Sequence, residues 1–404
     1  MAEKSIQIDV QPLKVKLKST FRHAGAERNE GSSVWVRAKR GKISGYGEGC
    51  PRSYAAGDDM ISSVQWVREN FSAGAVSFHA LDDVIKWMEN NVTLIDRYPS
   101  AWCALEIALL DLFSKEQNCS VEAMLGINKF KRHGRYTAVL GDDGKRKYTA
   151  ILNQYLIRGF SDFKIKISGN LEQDREKIAV LYDLCEQHGV SNPRIRLDAN
   201  NLWKNRVNEA IAHLKALEGP IFAVEEPVGP GDAAGISRVS TVSGLPVILD
   251  ESLCTLKILS QFKNLPGKFI ANIKVSRVGG IIRALRLIDA VIKLGWPVIV
   301  GCHVGETSLL TRAALIPADV AGGNLVAQEG AYGDYLMNWE PVYPMLKFGH
   351  CGILNLKLPY FLKTVQGFQT IPPENWDTGF GMKCRWPALP DDNNPDHSVL
   401  KVSE

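Results

Sequence analysis

The 404-residue sequence has few cysteines and no long apolar run. Its eight cysteines are widely scattered and include no C-x-x-C pair, which argues against a disulfide framework and fits reduced thiols in a cytoplasmic protein. No stretch approaches the roughly 20 apolar residues of a membrane helix, and the first ten residues lack the apolar core of a signal peptide. We therefore expect neither secretion nor membrane insertion.

An excess of charge of one sign is also missing. The formal net charge is +4, from 48 basic and 44 acidic residues, and the bases are dispersed among the acids. A nucleic-acid partner is therefore not expected. With 45% hydrophobic and 23% charged residues, the chain has the composition of a globular protein with a large core. Its length suits an α/β barrel of about 250 residues plus a smaller domain.

The first third of the chain predicts an α+β domain. Apolar residues alternate with polar ones between residues 6 and 43, which is typical of antiparallel strands. Helical spacing follows, most clearly at Leu105, Ala108, Leu109 and Leu112. The G-x-G-x-G motif of residues 45–49 is interpreted as a hairpin turn without a phosphate-binding role. We expect an α+β capping domain over residues 1–126.

From about residue 136 the pattern changes to short apolar strands, each ending in a polar residue and followed by an amphipathic helix. Five strand ends are separated by 32, 27, 25 and 24 residues by subtraction: Lys166, Asp198, Glu225, Asp250 and Lys274. Further ends near Gly301 and Glu329, with an opening strand at residues 136–140, bring the count to eight. Eight such units predict an α/β fold, a modified TIM-like (β/α)-barrel, over residues 127–337. Residues 338–404 are expected to be an irregular tail that packs back.

Three acids follow apolar strand residues at successive strand ends: Asp198, Glu225 and Asp250. In a barrel these ends converge on one face, where active sites are built. An unpaired carboxylate there would be costly, so a cation must neutralise it. One acid alone is better explained by pairing with Lys or Arg, but three in succession favour a metal. Oxygen ligands without His or Cys indicate Mg²⁺, with Mn²⁺ as the alternative.

Three lysines are expected on the same face. In the segment FKIKI, strand alternation puts Lys164 and Lys166 on one side, toward the site. Lys274 ends the strand that comes four strands later in the chain. In an eight-stranded ring this strand lies diametrically opposite the strand of Lys166. A lysine near Mg²⁺ and other cations is expected to have a lowered pKa and to serve as a general base.

In this order the motifs K-x-K, D-x-N, E-E-P and D-E-S, with the lysine after strand six, resemble the enolase superfamily. The resemblance is to its branch of muconate lactonising enzymes and dipeptide epimerases. It extends over most of the chain, because the amino-terminal part contains GYGEGCP and WCALEIALLDL. Proton abstraction next to a carboxylate, aided by a metal and a lysine or histidine base, is the chemistry of that superfamily.

The resemblance implies a set of roles for these residues. Mg²⁺ would be bound by Asp198, Glu225 and Asp250, and by the carboxylate of a small substrate. Lys166 and Lys274 would be acid and base on opposite faces of an enediolate. Lys164 would add positive charge, and Asn200 and Glu251 would orient the ligands. The family also implies a homo-oligomer.

The residues that determine specificity are less clearly marked. His303 lies near the end of strand seven, but strand six offers no Asp partner, so a site-lining role is favoured over that of a base. Dipeptide epimerases carry an Asp-x-Asp after strand eight, whereas this sequence has only Glu329 and Asp334 there. The candidates for substrate contacts are Phe21, Arg22, His23, Tyr54, His303, Glu306 and Glu329.

Three functions remain open from the sequence. The first is an isomerase, meaning an epimerase, racemase or cycloisomerase, acting on a dipeptide, N-acyl amino acid or muconate. The second is a lyase resembling o-succinylbenzoate synthase, which would share the first chemical step. The third is a barrel without catalysis that is used for binding.

Overall fold

The structure is a computed structural model that describes residues 5–23, 26–53, 57–72, 78–131, 133–356, 360–364, 367–371 and 377–387. Within these ranges, the side chains of residues 19, 21–23, 26–27, 334 and 360–371 are not described. Within the described ranges, none of the helices has the length and apolar character needed to span a bilayer.

The amino-terminal part is a three-stranded antiparallel sheet followed by helices. Its strands β1 (Gln7–His23), β2 (Ala26–Arg40) and β3 (Ile43–Gly49) pair in chain order. The helices are α1 (Met60–Val67), continued by a π-helical segment at Arg68–Ser72, α2 (Leu81–Asn90), α3 (Val92–Arg97), α4 (Pro99–Glu116) and α5 (Val121–Met124). This arrangement confirms the α+β architecture of the cap.

The glycines of β3 determine how closely α4 approaches the sheet. A Cβ atom added at Gly45, Gly47 or Gly49 would lie 1.8–2.1 Å from backbone oxygens of α4. The interpretation of this motif as a turn is therefore wrong, because the glycines lie inside a strand. Without side chains they let the helix backbone rest directly on the sheet. As a consequence α4 is buried along 16 consecutive residues, from Pro99 to Ser114.

The second part is an eight-stranded parallel sheet, which confirms the predicted barrel. A short strand, β4 (His133–Arg135), precedes it. The sheet strands pair in chain order: β5 (Ala138–Leu140), β6 (Asp162–Lys166), β7 (Arg194–Asp198), β8 (Ile221–Glu225), β9 (Val247–Leu249), β10 (Phe269–Ile273), β11 (Val298–Val300) and β12 (Leu325–Gln328). The two outer strands are joined where the N–H of Thr137 donates to the carbonyl oxygen of Gln328, at 2.8 Å.

Helices connect these strands on the outside. They are α6 (Lys145–Ile157), α7 (Leu171–Gln187), α8 (Val207–Ala216), α9 (Ala233–Ser243), α10 (Leu256–Phe262), α11 (Val275–Val278), α12 (Ile281–Lys293) and α13 (Ser308–Ala321). Along the strands a separate apolar cluster includes Ile248, Ile270 and Ile299. Side chains alternate along a strand, so residues two or four positions apart share one side of the sheet. Asp250, two residues after Ile248, and Lys274, four residues after Ile270, therefore lie on the side of this cluster.

The carboxyl-terminal residues contact both parts. Strand β13 (Val342–Tyr343) pairs with β17 (Lys383–Cys384), β14 (Ile353–Asn355) pairs with β4, and β15 (Tyr360–Thr364) pairs with β16 (Gly367–Ile371). The indole N–H of Trp35 donates to the carbonyl oxygen of Arg385 at 3.2 Å. The backbone N–H of Val121 donates to the carbonyl oxygen of Gly379 at 3.0 Å. The tail therefore contacts the cap through backbone groups.

Candidate active site

The carboxyl ends of the strands bring the predicted polar residues together. Strands β6, β7 and β8 end at Lys166, Asp198 and Glu225, and Asp250 and Lys274 directly follow β9 and β10. All five are buried, with at most 8% of each residue exposed. A cavity of about 50 Å³ is lined by four of them, together with Lys164, Asn200, Glu251, His303 and Glu329.

Lys164 lies among three carboxylates. Its ammonium nitrogen Nζ donates to Glu225 at 2.8 Å and to Glu329 at 3.2 Å. The same atom is 2.9 Å from Oδ2 of Asp198. This lysine therefore joins acids from three strands into one cluster of charges.

The two other lysines contact different acids. Nζ of Lys166 donates to Asp198 at 2.5 Å and to Oδ1 of Asn200 at 2.7 Å. Nζ of Lys274 donates to Oδ2 of Asp250 at 2.7 Å. Three strands separate β6 from β10 in the sheet. Both amines line the same cavity, each reaching it from its own strand.

The acids differ in how well their charge is compensated. Burial alone would raise the pKa of Asp198 and Asp250, but the adjacent cations outweigh it and lower both. For Glu225, burial and the charge of Asp198 raise the pKa to about 8, although Lys164 acts against them. Burial and Asp250 also raise the pKa of Glu251. Part of the cluster therefore lacks compensating positive charge.

The expectation of a lowered pKa applies to a lysine beside Mg²⁺ and stays a prediction; in this structure two of the three lysines have raised pKa values. Burial lowers the pKa of Lys274, but the attraction of Asp250 outweighs it and the net shift is upward. The pKa of Lys164 is likewise raised well above its usual value by Asp198 and Glu225, against the effect of burial. The reason is that each ammonium contacts a carboxylate directly, which stabilises the charged form.

The donor atoms fit a magnesium ion by their chemistry. They are carboxylate oxygens, the ligands that Mg²⁺ prefers, and both oxygens of Glu225 lie 2.8 Å from Nζ of Lys164. Within the described part of the chain, no three Asp, Glu, His or Cys side chains form a ready-made metal site. Lysines instead contact the oxygen atoms of Asp198 and Asp250 that a cation would use.

Sequence reasoning missed several residues around the cluster. Arg277, fully buried on α11, forms an ion pair with Asp250 and donates to the carbonyl oxygen of Asn272 at 2.5 Å. Glu226 accepts the N–H of Asp250 at 2.6 Å and that of Ser252 at 2.7 Å. The second acid of E-E-P and the arginine three residues after Lys274 were visible signals for these two.

The specificity candidates have mixed outcomes. His303 and Glu329 line the cavity, whereas Glu306 does not, and its Oε1 accepts the N–H of His303 at 2.6 Å. Burial and the charges of Lys274 and Arg52 hold the pKa of His303 well below its usual value, so the imidazole is neutral. Four candidates, Phe21, Arg22, His23 and Tyr54, have side chains outside the described part of the chain, as does Asp334.

The family model "Enolase C-terminal domain-like" matches residues 147–354, which is half of the chain. The chain belongs to the enolase superfamily. Within it, the chain falls in the group of mandelate racemases and muconate lactonising enzymes. The match covers β6 to β12, which carry the lysines and the acids of the cavity.

Several proteins that are similar to this chain are isomerases. The N-succinyl-L-Arg/Lys racemase of Bacillus cereus is 23% identical over 76% of this chain and 81% of its own. The dipeptide epimerase of Enterococcus faecalis, solved with Mg and L-Leu-L-Tyr, has a TM-score of 0.78 at 22% identity, covering 94% and 99% of the two chains. The muconate lactonizing enzyme of Pseudomonas fluorescens, solved with muconolactone, also reaches 0.78, at 18% identity and 95% and 97% coverage.

Proposed function

We propose that this protein is a Mg²⁺-dependent isomerase that removes the α-proton of a small carboxylate and returns a proton from the opposite face. The observation that carries the proposal is the position of Lys166 and Lys274. They lie on β6 and directly after β10, and both line one cavity beside acids. Two amines on separate strands can serve the two faces of a planar intermediate.

The metal ligands in this proposal are Asp198, Glu225 and Asp250. These residues would hold Mg²⁺ beside the substrate carboxylate, where its charge would stabilise the negative charge that develops when the α-proton leaves. The charge deficit around Glu225 supports a cation at this place. Mn²⁺ satisfies the same oxygen ligands.

The protein groups then divide the proton transfer. One of Lys166 and Lys274 takes the α-proton, and the other supplies a proton to the opposite face. Lys164 stays charged between the acids and stabilises the carboxylate end of the substrate. Asn200 orients Lys166, because its Oδ1 accepts a hydrogen bond from the ammonium at 2.7 Å. Neutral His303 and the acid Glu329 contact the remainder of the substrate.

A lyase is the second candidate, because dehydration through the same enediolate needs only one base. The buried pair of Lys274 and Asp250 favours it, since a firmly held ammonium could stabilise the intermediate without transferring a proton. A cycloisomerase would reach the same kind of enediolate by closing a lactone ring and would then protonate it. The three outcomes differ in the product, and only the epimerase and the lyase share the first step.

The test is a substrate survey in D₂O with Mg²⁺. Dipeptides, N-acyl amino acids, succinylbenzoate-type acids and muconates are pooled, and the α-proton signals are followed by NMR. An isomerase exchanges an α-proton and keeps the substrate formula, whereas a lyase releases water. If none of these classes loses an α-proton, the proposed function is wrong.

A further inference from the structure

A second lysine supports Lys166 from behind the cavity. Lys177 on α7 donates its Nζ to the carbonyl oxygen of Lys166 at 3.1 Å and forms an ion pair with Asp142. Only 8% of Lys177 is exposed, so its contact with the carbonyl oxygen of Lys166 is buried, whereas the Asp142 side chain is 33% exposed. Because this carbonyl ends β6, its position determines where the side chain of Lys166 begins.

A buried carboxylate fixes the residues that follow. Asp174 on α7 has no exposed surface and accepts the N–H groups of Ser168 at 2.9 Å and Gly169 at 3.0 Å. It also accepts a hydrogen bond from Nε2 of His213 at 3.1 Å. Oδ1 of Asp174 lies 3.7 Å from the Lys177 ammonium, so one set of charges holds both the end of β6 and the following loop.

The same network reaches the loop after the next strand. The ring of His213 lies 5.0 Å, centroid to centroid, from the ring of Trp203. The backbone N–H of Trp203 donates to the carbonyl oxygen of Pro227 at 3.2 Å. We call Asp142, Asp174, Lys177 and His213 the β6 clamp. None of its four members lines the cavity.

Lys274 is supported by another part of the protein. The hydroxyl of Ser276, two residues later, accepts the N–H of Cys50 at 2.7 Å, a contact from the cap. Arg277 holds Asp250, the partner of Lys274. The two amines of the cavity are thus positioned by separate sets of contacts. Those of Lys166 are formed within the barrel domain, and those of Lys274 include a contact with the cap.

We propose that the β6 clamp positions Lys166 alone and that Lys177 is its principal positioning residue. The clamp acts through the backbone of β6 and does not touch the substrate. Disturbing it should therefore change one of the two amines and spare the other. The role of Lys166 as a base rests on the proposed function, but the selective support of its position can be measured without a substrate.

The first experiment compares the two amines chemically in the full-length protein. Lys166 and Lys274 each have 10% of the side chain exposed, so they form a matched pair. N-hydroxysuccinimidyl acetate is added, and the acetylation rates of both are followed by mass spectrometry. Lys177→Met keeps the side-chain length but removes the donor, and should raise the Lys166 to Lys274 rate ratio about threefold or more. An unchanged ratio would overturn the proposal.

Two variants guard against a general loss of structure. Lys145→Met is the matched control, because Lys145 lines the same surface cleft as Lys177 and its ion pair, with Glu176 at 2.6 Å, does not involve β6. This variant should keep the wild-type ratio. Lys177→Arg retains a positive donor and should bring the ratio back toward wild type. A ratio that shifts equally in Lys145→Met and Lys177→Met also contradicts the clamp.

The second experiment uses any compound of the panel that exchanges its α-proton. Its two epimers are incubated separately in D₂O with Mg²⁺. Lys177→Met should slow exchange from one epimer by on the order of 10- to 100-fold, since small displacements of a reacting group cost about this much. Exchange from the other epimer should stay within about twofold. Equal slowing of both epimers would show a general scaffold effect and overturn the proposal.

The two experiments separate the possible failures. If wild-type protein exchanges no compound of the panel, the proposed function fails, yet the acetylation ratio still decides whether the clamp acts on Lys166. If exchange occurs and only the ratio is unchanged, the function stands and the clamp is wrong.

Discussion

At the scale of single residues, the cavity is a set of buried ion pairs. Each lysine contacts at least one acid, and among these acids Glu225 has its pKa raised to about 8 by burial and by the charge of Asp198. Removing one partner of a buried pair leaves an uncompensated charge, which costs about 3–5 kcal/mol. The substitutions that test the roles of these residues must therefore be checked for folding as well as for activity.

Loss of either amine should remove one half of the proton transfer. We expect Lys166→Ala and Lys274→Ala each to abolish epimerisation, while Mg²⁺ binding measured by calorimetry stays within about tenfold, since neither lysine is a proposed ligand. Lys293→Ala is the control, because Lys293 pairs with Asp289 on the surface. Full turnover by either active-site variant would refute the two-base arrangement.

Loss of a proposed ligand should weaken metal binding. Asp250→Asn keeps the shape of the side chain and removes its charge, so we expect Mg²⁺ affinity to fall by about tenfold or more. Isothermal titration calorimetry provides the measurement, and Asp289→Asn on the exposed face of α12 is the comparison. Equal affinity in the two variants would exclude Asp250 as a ligand.

At the scale of elements, helix α4 joins the cap to the barrel. It packs on β3 through glycines on one side, and on its other side Glu106 reaches the start of α12, accepting the N–H of Ile282 at 3.1 Å. Nearly the whole helix is buried, with 16 of its 18 residues shielded from solvent. Both contacts lead to a stability prediction.

A methyl group between α4 and β3 should not be tolerated. A Cβ at Gly47 would lie 1.9 Å from the carbonyl oxygen of Ala104, a backbone atom that cannot move independently. We expect Gly47→Ala to lower the free energy of unfolding in urea by about 1–3 kcal/mol, as overpacking does. Gly323→Ala is the control, since nothing lies within 4 Å of its added Cβ. Equal stability of the two variants would contradict this packing.

The buried carboxyl of Glu106 should make stability depend on pH. Burial raises its pKa from 4.5 to about 7. Between these values the folded state holds a proton that the unfolded state releases, so stability falls as the pH rises, by on the order of 3 kcal/mol. Glu106→Gln should flatten the change in unfolding free energy across this window. An identical pH profile in the variant would contradict the assignment.

The sequence predicted the elements that follow strong local patterns and missed those that depend on close tertiary contact. Strand ends at Lys166, Asp198 and Glu225 were correct because a polar residue ends each apolar run. The glycines of β3 were misinterpreted because only the approach of α4 explains them. The ion pair of Arg277 with Asp250 and the raised lysine pKa values depend on distances between strands, which spacing along the chain does not contain.

At the scale of the whole molecule, the cap and the barrel share buried polar contacts beside the cavity. Glu48 of β3 accepts the N–H of Thr307 at 3.0 Å and the hydroxyl of Ser33 at 2.7 Å. Arg52 donates to the carbonyl oxygen of Val304, a residue that lines the cavity, at 2.8 Å. The cap is therefore in a position to influence the site.

The most direct test of the account is metal-dependent deuterium incorporation from both epimers of one substrate. With Mg²⁺ in D₂O, each epimer should lose its α-proton and yield the other, and EDTA should stop both reactions. Exchange that continues in EDTA, or that occurs from one epimer without forming the other, would contradict a cation and two amines acting on opposite faces of one carbon.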